Sequence, residues 1–113
     1  MQDIKISIII PHYNIPDLLV RALQSIPQRE DVQVIVVDDG SEGADLYLGR
    51  YSELSAPNVE FYPQPHSGLA GIMRNIGLKY ARGEWITFLD ADDFFSARRL
   101  GIQSGRILTA IVL

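Results

Sequence analysis

The chain alternates between short apolar runs and segments in which apolar residues recur every three or four positions. The runs lie at residues 6–10, 34–37, 59–62 and 85–89, and the first two are almost wholly aliphatic. Such runs are typical of strands that are buried on both faces of a parallel sheet. The segments between them have helical spacing, so the pattern predicts the order βαβαβαβ. We expect an α/β fold with a mainly parallel sheet and helices on both of its faces.

The apolar positions of the three intervening segments define the predicted helices. The first carries Leu18, Leu19, Ala22, Leu23 and Ile26, the second Ala44, Tyr47, Leu48, Tyr51 and Leu54, and the third Leu69, Ile72, Met73, Ile76 and Tyr80. Asn14 is the predicted cap of the first helix. Trp85 and Phe88 are predicted core residues, and Gly77 is predicted to let the third helix approach the sheet.

Polar residues directly follow each predicted strand, at residues 11–14, 38–41, 66–68 and 90–93. Ligands of such sheets bind beyond the carboxyl ends of the strands, so the fold should bring these four clusters to one edge. The last cluster reads Asp-Ala-Asp-Asp, and carboxylates this close repel one another unless they are neutralised. A hard divalent cation that also binds phosphate oxygens would neutralise them. A solvated acidic turn is the structural alternative.

The composition sets limits on the class of protein. With 113 residues, 47% hydrophobic and 21% charged, the chain has room for one globular domain. A net charge of −4 without a basic run argues against a nucleic-acid partner, and zero cysteines exclude disulfides and thiolate metal sites. We find no signal peptide, and the apolar residues 107–113 are too short to span a bilayer. We expect a cytoplasmic location, with association to the cytoplasmic membrane face left open.

The ordered motifs resemble those of the inverting glycosyltransferases of family 2, which have the GT-A fold. They are SIIIPHYN at residues 7–14, VVDDGS at 36–41, Gly68 followed by RNIGL at 74–78, and ARGEWITFLDADD at 81–93. The resemblance implies a Rossmann-like nucleotide-sugar-binding GT-A subdomain over residues 1–95. It implies a sugar nucleotide as donor, with a UDP-sugar favoured, and a saccharide or lipid-linked acceptor, as in polysaccharide biosynthesis.

The same resemblance assigns roles to individual residues. Pro11 and Tyr13 match positions that line the nucleotide pocket, and Asp39 matches the acid that reads the base. A carboxylate can accept a hydrogen bond from a uracil N–H, which fits that role. Arg74 matches a position near the diphosphate or sugar. The structural alternatives are an aromatic wedge for Tyr13 and a surface ion pair for Arg74.

The D-x-D motif corresponds to Asp90 and Asp92. The resemblance places Asp90 near the ribose or the metal and Asp92 on the metal, which would be Mn²⁺ or Mg²⁺. The structural alternative for Asp38 is to cap the turn before the second helix, and Asp39 is favoured over it for the base contact. The two histidines, His12 and His66, have no third ligand at suitable spacing and do not make a zinc site.

The chain departs from the family pattern chiefly in length. Residues 96–113, a C-terminal tail, contain no Asp or Glu, so we find no candidate for the general base and expect it, with the acceptor-binding half, outside this chain. We therefore expect no sugar transfer by these residues alone, and a homodimer if the apolar tail pairs with a second copy. Two alternatives stay open: a non-catalytic nucleotide-binding or assembly module, and a nucleotidyltransferase of related fold.

Overall fold

A computed structural model describes residues 3–91, together with the backbone of residues 102–103 and 106–107. The strands are β1 (Ile6–His12), β2 (Val32–Asp38), β3 (Val59–Pro63), β4 (Trp85–Phe88), β5 (Ile102–Gln103) and β6 (Arg106–Ile107). The helices are α1 (Pro16–Gln24), α2 (Tyr47–Arg50) and α3 (Ala70–Tyr80), and 3₁₀ turns cover Ala44–Leu46 and Ser52–Ser55.

Strands β1 to β4 form one parallel sheet in the order β3-β2-β1-β4, which confirms the predicted fold class. Ile6 of β1 pairs with Val32 of β2 on one side and with Trp85 of β4 on the other. The chain moves outward from β1 through β2 to β3 and then returns to the other side of β1. A crevice forms where the strand order reverses in this way, here beyond the carboxyl ends of β1 and β4.

The central strand β1 contributes to two apolar layers, one on each face of the sheet. Ile6, Ile8 and Ile10 pack with side chains of α1 and of the α2 segment, including Leu19 and Tyr47. On the other face, Ile9 lies in a layer with Ile35, Val37 and Met73 of α3. Helices therefore cover both faces, as the continuous aliphatic runs predicted.

Gly77 explains how closely α3 approaches the sheet. A Cβ atom at this position would lie 2.5 Å from Cγ2 of Ile9, which is shorter than any ordinary contact. The structure thus confirms the packing role predicted for Gly77. By contrast, Gly71 of the same helix has open space where its Cβ would be.

The predicted second helix is wrong as a single element. Tyr51 has extended backbone angles, φ −118° and ψ 106°, and separates the four-residue α2 from the 3₁₀ turn that follows. Tyr47 and Leu54 still reach the core, but from separate turns, whereas Leu48 is half exposed. Their seven-residue spacing fits one helical face, which is why the sequence pattern favoured a continuous helix.

Several predicted core positions also lie at the surface. Leu69 and Ile72, at the start of α3, are 59% and 42% exposed, and Trp85 is 48% exposed. Trp85 lies in β4, which is an outer strand of the sheet in the part of the chain described. The predicted cap is wrong as well, because Ile15 occupies the N-cap of α1 and Asn14 Oδ1 instead accepts from the Glu42 N–H at 2.9 Å.

The amino edge of the sheet is held by a polar network around the buried Gln33. The Gln33 amide oxygen accepts from Ser7 Oγ at 2.6 Å and from the Arg82 N–H at 2.9 Å, and its nitrogen donates to the Tyr80 carbonyl at 2.8 Å. A Cβ at Gly83 would lie 2.6 Å from the Ser7 backbone nitrogen. The Arg82-Gly83 pair of the last motif therefore serves the fold and lies away from the carboxyl edge.

Candidate functional site

An open cleft of about 340 Å³ lies at the carboxyl edge of the sheet. The ends of β1, β2 and β4 and the start of α3 all contribute to its wall. Its lining residues are Pro11, His12, Tyr13, Ile15, Asp39, His66, Gly68, Ala70, Met73, Asp90 and Ala91. Four of the positions proposed from the sequence, Pro11, Tyr13, Asp39 and Asp90, are thus brought together in one cavity. A cleft of about 320 Å³ at the opposite edge is lined by Gln33, Glu60 and Arg82 instead.

Asp39 joins the end of β2 to the segment that precedes α3. Its side chain is 8% exposed, and its two carboxylate oxygens accept from the backbone N–H groups of Ser67 and Gly68 at 2.6 and 2.9 Å. Gly40 makes the close approach of the two segments feasible, since its φ is +76° and a Cβ there would lie 2.6 Å from the His66 nitrogen. Each carboxylate oxygen retains a second lone pair that a ligand N–H could use.

Tyr13 and His66 form an aromatic pair in the wall of the cleft. Their ring centroids are 4.4 Å apart with an angle of 28° between the planes, and Tyr13 is 44% exposed. His66 Nδ1 lies 2.8 Å from the Asp39 carbonyl oxygen and donates to it. An exposed aromatic face held in this way can stack on a planar ligand.

Asp38 points away from the cleft into a buried cluster. It accepts from His12 Nδ1 at 2.8 Å, from the Ser41 N–H at 2.8 Å and from Ser41 Oγ at 2.6 Å. Burial by itself would raise the pKa of Asp38, but the hydrogen bonds from His12 and Ser41 outweigh it and hold that pKa below its ordinary value. The turn-capping alternative for Asp38 is therefore the one that the structure supports.

Arg74 extends from α3 towards the end of β4. Its Nη2 lies 3.4 Å from Oδ1 of Asp90, and its guanidinium carbon is 5.8 Å from the centre of the Phe88 ring. Arg74 Nε is buried and has no hydrogen-bond partner in the described part of the chain. Arg74 also lines a second open cleft of about 570 Å³, which shares Gly68 and Ala70 with the first. A partly exposed cation at this point suits an anionic ligand.

The carboxylates assigned to a metal are described only in part. Asp90 is exposed at the end of β4, whereas Asp92 and Asp93 lie outside the described residues. No group of three His, Cys, Asp or Glu side chains within the described ranges is arranged to hold a metal ion. The donor type nevertheless fits Mg²⁺ or Mn²⁺, which are usually bound by one or two carboxylates together with phosphate oxygens of the ligand.

Two features of the site are not predicted by the sequence. One is the bonding of Asp39 to the backbone of Ser67 and Gly68, and the other is the stacking of His66 on Tyr13. Both connect segments that lie 28 residues or more apart, so no local pattern reports them. The glycines at 40 and 68 were the available signal, because each adopts a positive φ in a loop at the carboxyl edge.

The family model described as Glycosyl transferase family 2 matches residues 7–108, and the chain belongs to that family. A poly(ribitol-phosphate) beta-glucosyltransferase of Bacillus spizizenii is 38% identical over 101 residues, which is 85% of this chain and 16% of that protein. The minor teichoic acid biosynthesis protein GgaB of Bacillus subtilis is 37% identical over 95 residues, which is 80% of this chain and 10% of that protein. The chain thus spans a small part of the length of these curated relatives.

Solved structures agree with this assignment. S. aureus TarS 1-349 in complex with UDP-GlcNAc has a TM-score of 0.68 and 33% identity, over 80% of this chain and 27% of that one. The mannosyltransferase PcManGT of Pyrobaculum calidifontis, in complex with GDP-Man and Mn²⁺, has a TM-score of 0.71 over 87% of this chain and 30% of that one. At 24% identity the second likeness concerns the fold alone. Together these neighbours confirm the expected GT-A fold. No helix in the described ranges is long and apolar enough to cross a membrane.

Proposed function

We propose that this chain is the donor-binding portion of an inverting, metal-assisted glycosyltransferase that uses a nucleotide-sugar, with a UDP-sugar favoured. The observation that carries the proposal is the convergence of Pro11, Tyr13, Asp39 and Asp90 on one cleft at the carboxyl edge of the sheet. Residues 1–95 would form this nucleotide-sugar-binding subdomain. The S. aureus TarS complex with UDP-GlcNAc supports a UDP-sugar as donor.

The nucleoside is proposed to lie against Tyr13 and Asp39. Tyr13 offers an exposed aromatic face for a base, and Pro11 borders the same wall. Asp39 is almost fully buried and fixed by two backbone N–H groups, so its remaining lone pairs have a defined direction. A fixed carboxylate can accept the N3–H of uracil, a contact that cytosine cannot make at the same atom because its N3 carries no hydrogen.

The diphosphate is proposed to lie towards Arg74 and Asp90. The Arg74 side chain is 40% exposed, and its 3.4 Å ion pair with Asp90 is long enough to be replaced. Asp92, with Asp90, would hold Mn²⁺ or Mg²⁺ beside the diphosphate, where the ion would stabilise the negative charge that develops on the leaving nucleoside diphosphate.

The acceptor is expected to bind outside this cleft. In the complete enzyme its hydroxyl would attack the anomeric carbon in line, while a carboxylate general base, expected outside residues 1–113, takes its proton. A saccharide or lipid-linked acceptor suits the names of the Bacillus relatives, which concern poly(ribitol-phosphate) and teichoic acid. We expect this chain to bind donor, to hydrolyse it slowly at most, and to transfer no sugar.

Titration of the chain with UDP, with and without Mn²⁺, beside an assay of UDP-sugar hydrolysis, tests the proposal. UDP binding that Mn²⁺ strengthens, and that Asp39→Ala weakens, is the expected result. The matched control is Glu84→Ala, an exposed carboxylate at the opposite edge of the sheet, which should leave binding unchanged. Nucleotide binding that is independent of metal would favour the non-catalytic module, and preference for a nucleoside triphosphate would favour a nucleotidyltransferase.

A further inference from the structure

His12 is buried at the carboxyl end of β1, and both of its ring nitrogens have hydrogen-bond partners. Nδ1 lies 2.8 Å from Oδ1 of Asp38, and Nε2 lies 3.0 Å from the backbone nitrogen of Ile15. The Ile15 N–H is a donor, so Nε2 must be the nitrogen without a proton. The geometry therefore requires the neutral ring in which Nδ1–H donates to Asp38.

The carboxylate of Asp38 holds the loop of residues 13–15, here called the β1 loop, through two chains of hydrogen bonds. The first runs through His12 to the Ile15 N–H. In the second, Ser41 Oγ donates to Asp38 at 2.6 Å and accepts from the Asn14 N–H at 2.7 Å. Asn14 has a φ of +53°, a left-handed conformation that is uncommon for residues other than glycine but that asparagine adopts more readily than most.

In the chain, Tyr13 lies between the end of β1 and the two hydrogen-bonded amides of Asn14 and Ile15. Its backbone follows His12 directly and precedes Asn14, so the β1 loop fixes where its ring enters the cleft. We propose that His12 is a positioning residue: in its neutral form it fixes the β1 loop through the Ile15 N–H and so holds Tyr13 where a nucleotide base can stack on it. This inference rests on the proposed function of the cleft.

Protonation of His12 would act on one side of the ring. The Nδ1–H would still donate to Asp38. Nε2 would become a donor facing the Ile15 N–H, which is also a donor, so the hydrogen bond between Nε2 and Ile15 would be lost. The titratable groups packed against the ring are Asp38 from β2 and Tyr47 from the α2 segment, whose ring centroid is 5.9 Å away. Asp39, His66 and Asp90 border the same cleft. The contact that positions Tyr13 therefore depends on a ring whose Nε2 carries no proton.

The first test uses the wild-type chain labelled with ¹⁵N. The chain has two histidines, so the two rings can be followed separately by two-bond ¹H–¹⁵N correlation spectra. At neutral pH His12 should show a protonated Nδ1 and an unprotonated Nε2. The Ile15 amide signal should change when His12 is replaced and should not change when His66 is replaced. A protonated Nε2 at neutral pH, or an Ile15 amide indifferent to His12, would overturn the inference.

The second test compares His12→Gln with His12→Asn, with UDP as the probe. The glutamine amide reaches about as far as His12 Nε2, so its oxygen can accept from the Ile15 N–H. The asparagine amide reaches only about as far as Nδ1, so it can donate to Asp38 but cannot reach Ile15. His12→Gln should keep UDP affinity within about threefold of wild type, while His12→Asn should weaken UDP binding about tenfold.

Equal affinities in the two variants would overturn the inference. If either variant fails to fold, the wild-type ring and amide signals still decide it. Absence of UDP binding by the wild-type chain would instead refute the proposed function, while the same signals would show whether His12 holds the β1 loop.

Discussion

Replacement of Asp39 should separate nucleotide recognition from folding. The Asp39→Ala change removes the acceptor of two backbone N–H groups, at 2.6 and 2.9 Å, from a side chain that is 8% exposed. Both amides belong to exposed residues, so water can replace the lost carboxylate. We therefore expect a loss of about 1–2 kcal/mol in the free energy of unfolding. For a domain of this size that lowers the melting temperature by roughly 4–8 °C per kcal/mol.

The effect on UDP should be larger and specific. Loss of a hydrogen bond from the base to a charged acceptor costs about 1.5–3 kcal/mol, which corresponds to roughly a 10- to 150-fold weaker Kd. CDP has no N3–H to lose, so its affinity should fall less and the preference for UDP over CDP should shrink. Calorimetric titration of both nucleotides, well below the melting temperature of the variant, measures both quantities.

The control for this experiment is Glu84→Ala. Glu84 forms an exposed ion pair with Lys5 at the amino edge, and such pairs contribute at most about 1 kcal/mol. It should leave both nucleotide affinities at their wild-type values. Equal weakening of UDP and CDP by Asp39→Ala would mean that Asp39 acts by holding the segment before α3, and base recognition would then have to come from another residue.

Three further predictions concern the metal, the packing of α3 and acid stability. Asp92→Asn should weaken Mn²⁺-dependent UDP binding at least tenfold, about 1.4 kcal/mol, and addition of EDTA to wild type should have a similar effect; unchanged Mn²⁺-dependent affinity in the variant would refute the metal assignment. Gly77→Ala should destabilise the chain by about 1–3 kcal/mol in urea unfolding because its Cβ would meet Ile9, whereas Gly71→Ala, in open space on the same helix, should stabilise it by up to about 1 kcal/mol. The pKa of Asp38 is lowered in the folded state, so its contribution to stability should be complete above the ordinary pKa of 3.8. This contribution should be lost as the pH falls through the folded-state pKa. The urea midpoint of Asp38→Asn should lack this dependence on pH.

The sheet and the location of the site could be predicted because their signals are local. The continuous aliphatic runs of β1 and β2 identify strands buried on both faces, and the polar residues at the end of each strand follow from strand direction alone. The different roles of Asp38 and Asp39 could be predicted from strand direction only in part. Neighbouring residues at a strand end point to opposite sides, but which side meets the cleft is decided by the packed helices.

The remaining features depend on contacts between distant segments. The break at Tyr51 and the exposure of Trp85 are set by which layers cover each face, and a helical or apolar pattern does not contain that information. His12 is the clearest case. The sequence argues against a zinc site at His12 and indicates no other role for it, whereas the structure shows a buried ring that links Asp38 to the Ile15 amide.

The most direct test of the central claim is to map UDP binding onto the chain by ¹H–¹⁵N spectra in the presence of Mn²⁺. We expect the largest and saturable shifts at the carboxyl edge, in the amides of Tyr13, Asp39, Gly68 and Arg74, with little change around Gln33 at the amino edge. Shifts centred on the amino-edge cleft, or no saturable shifts at millimolar UDP, would contradict the assignment of this cleft as a nucleotide-sugar site.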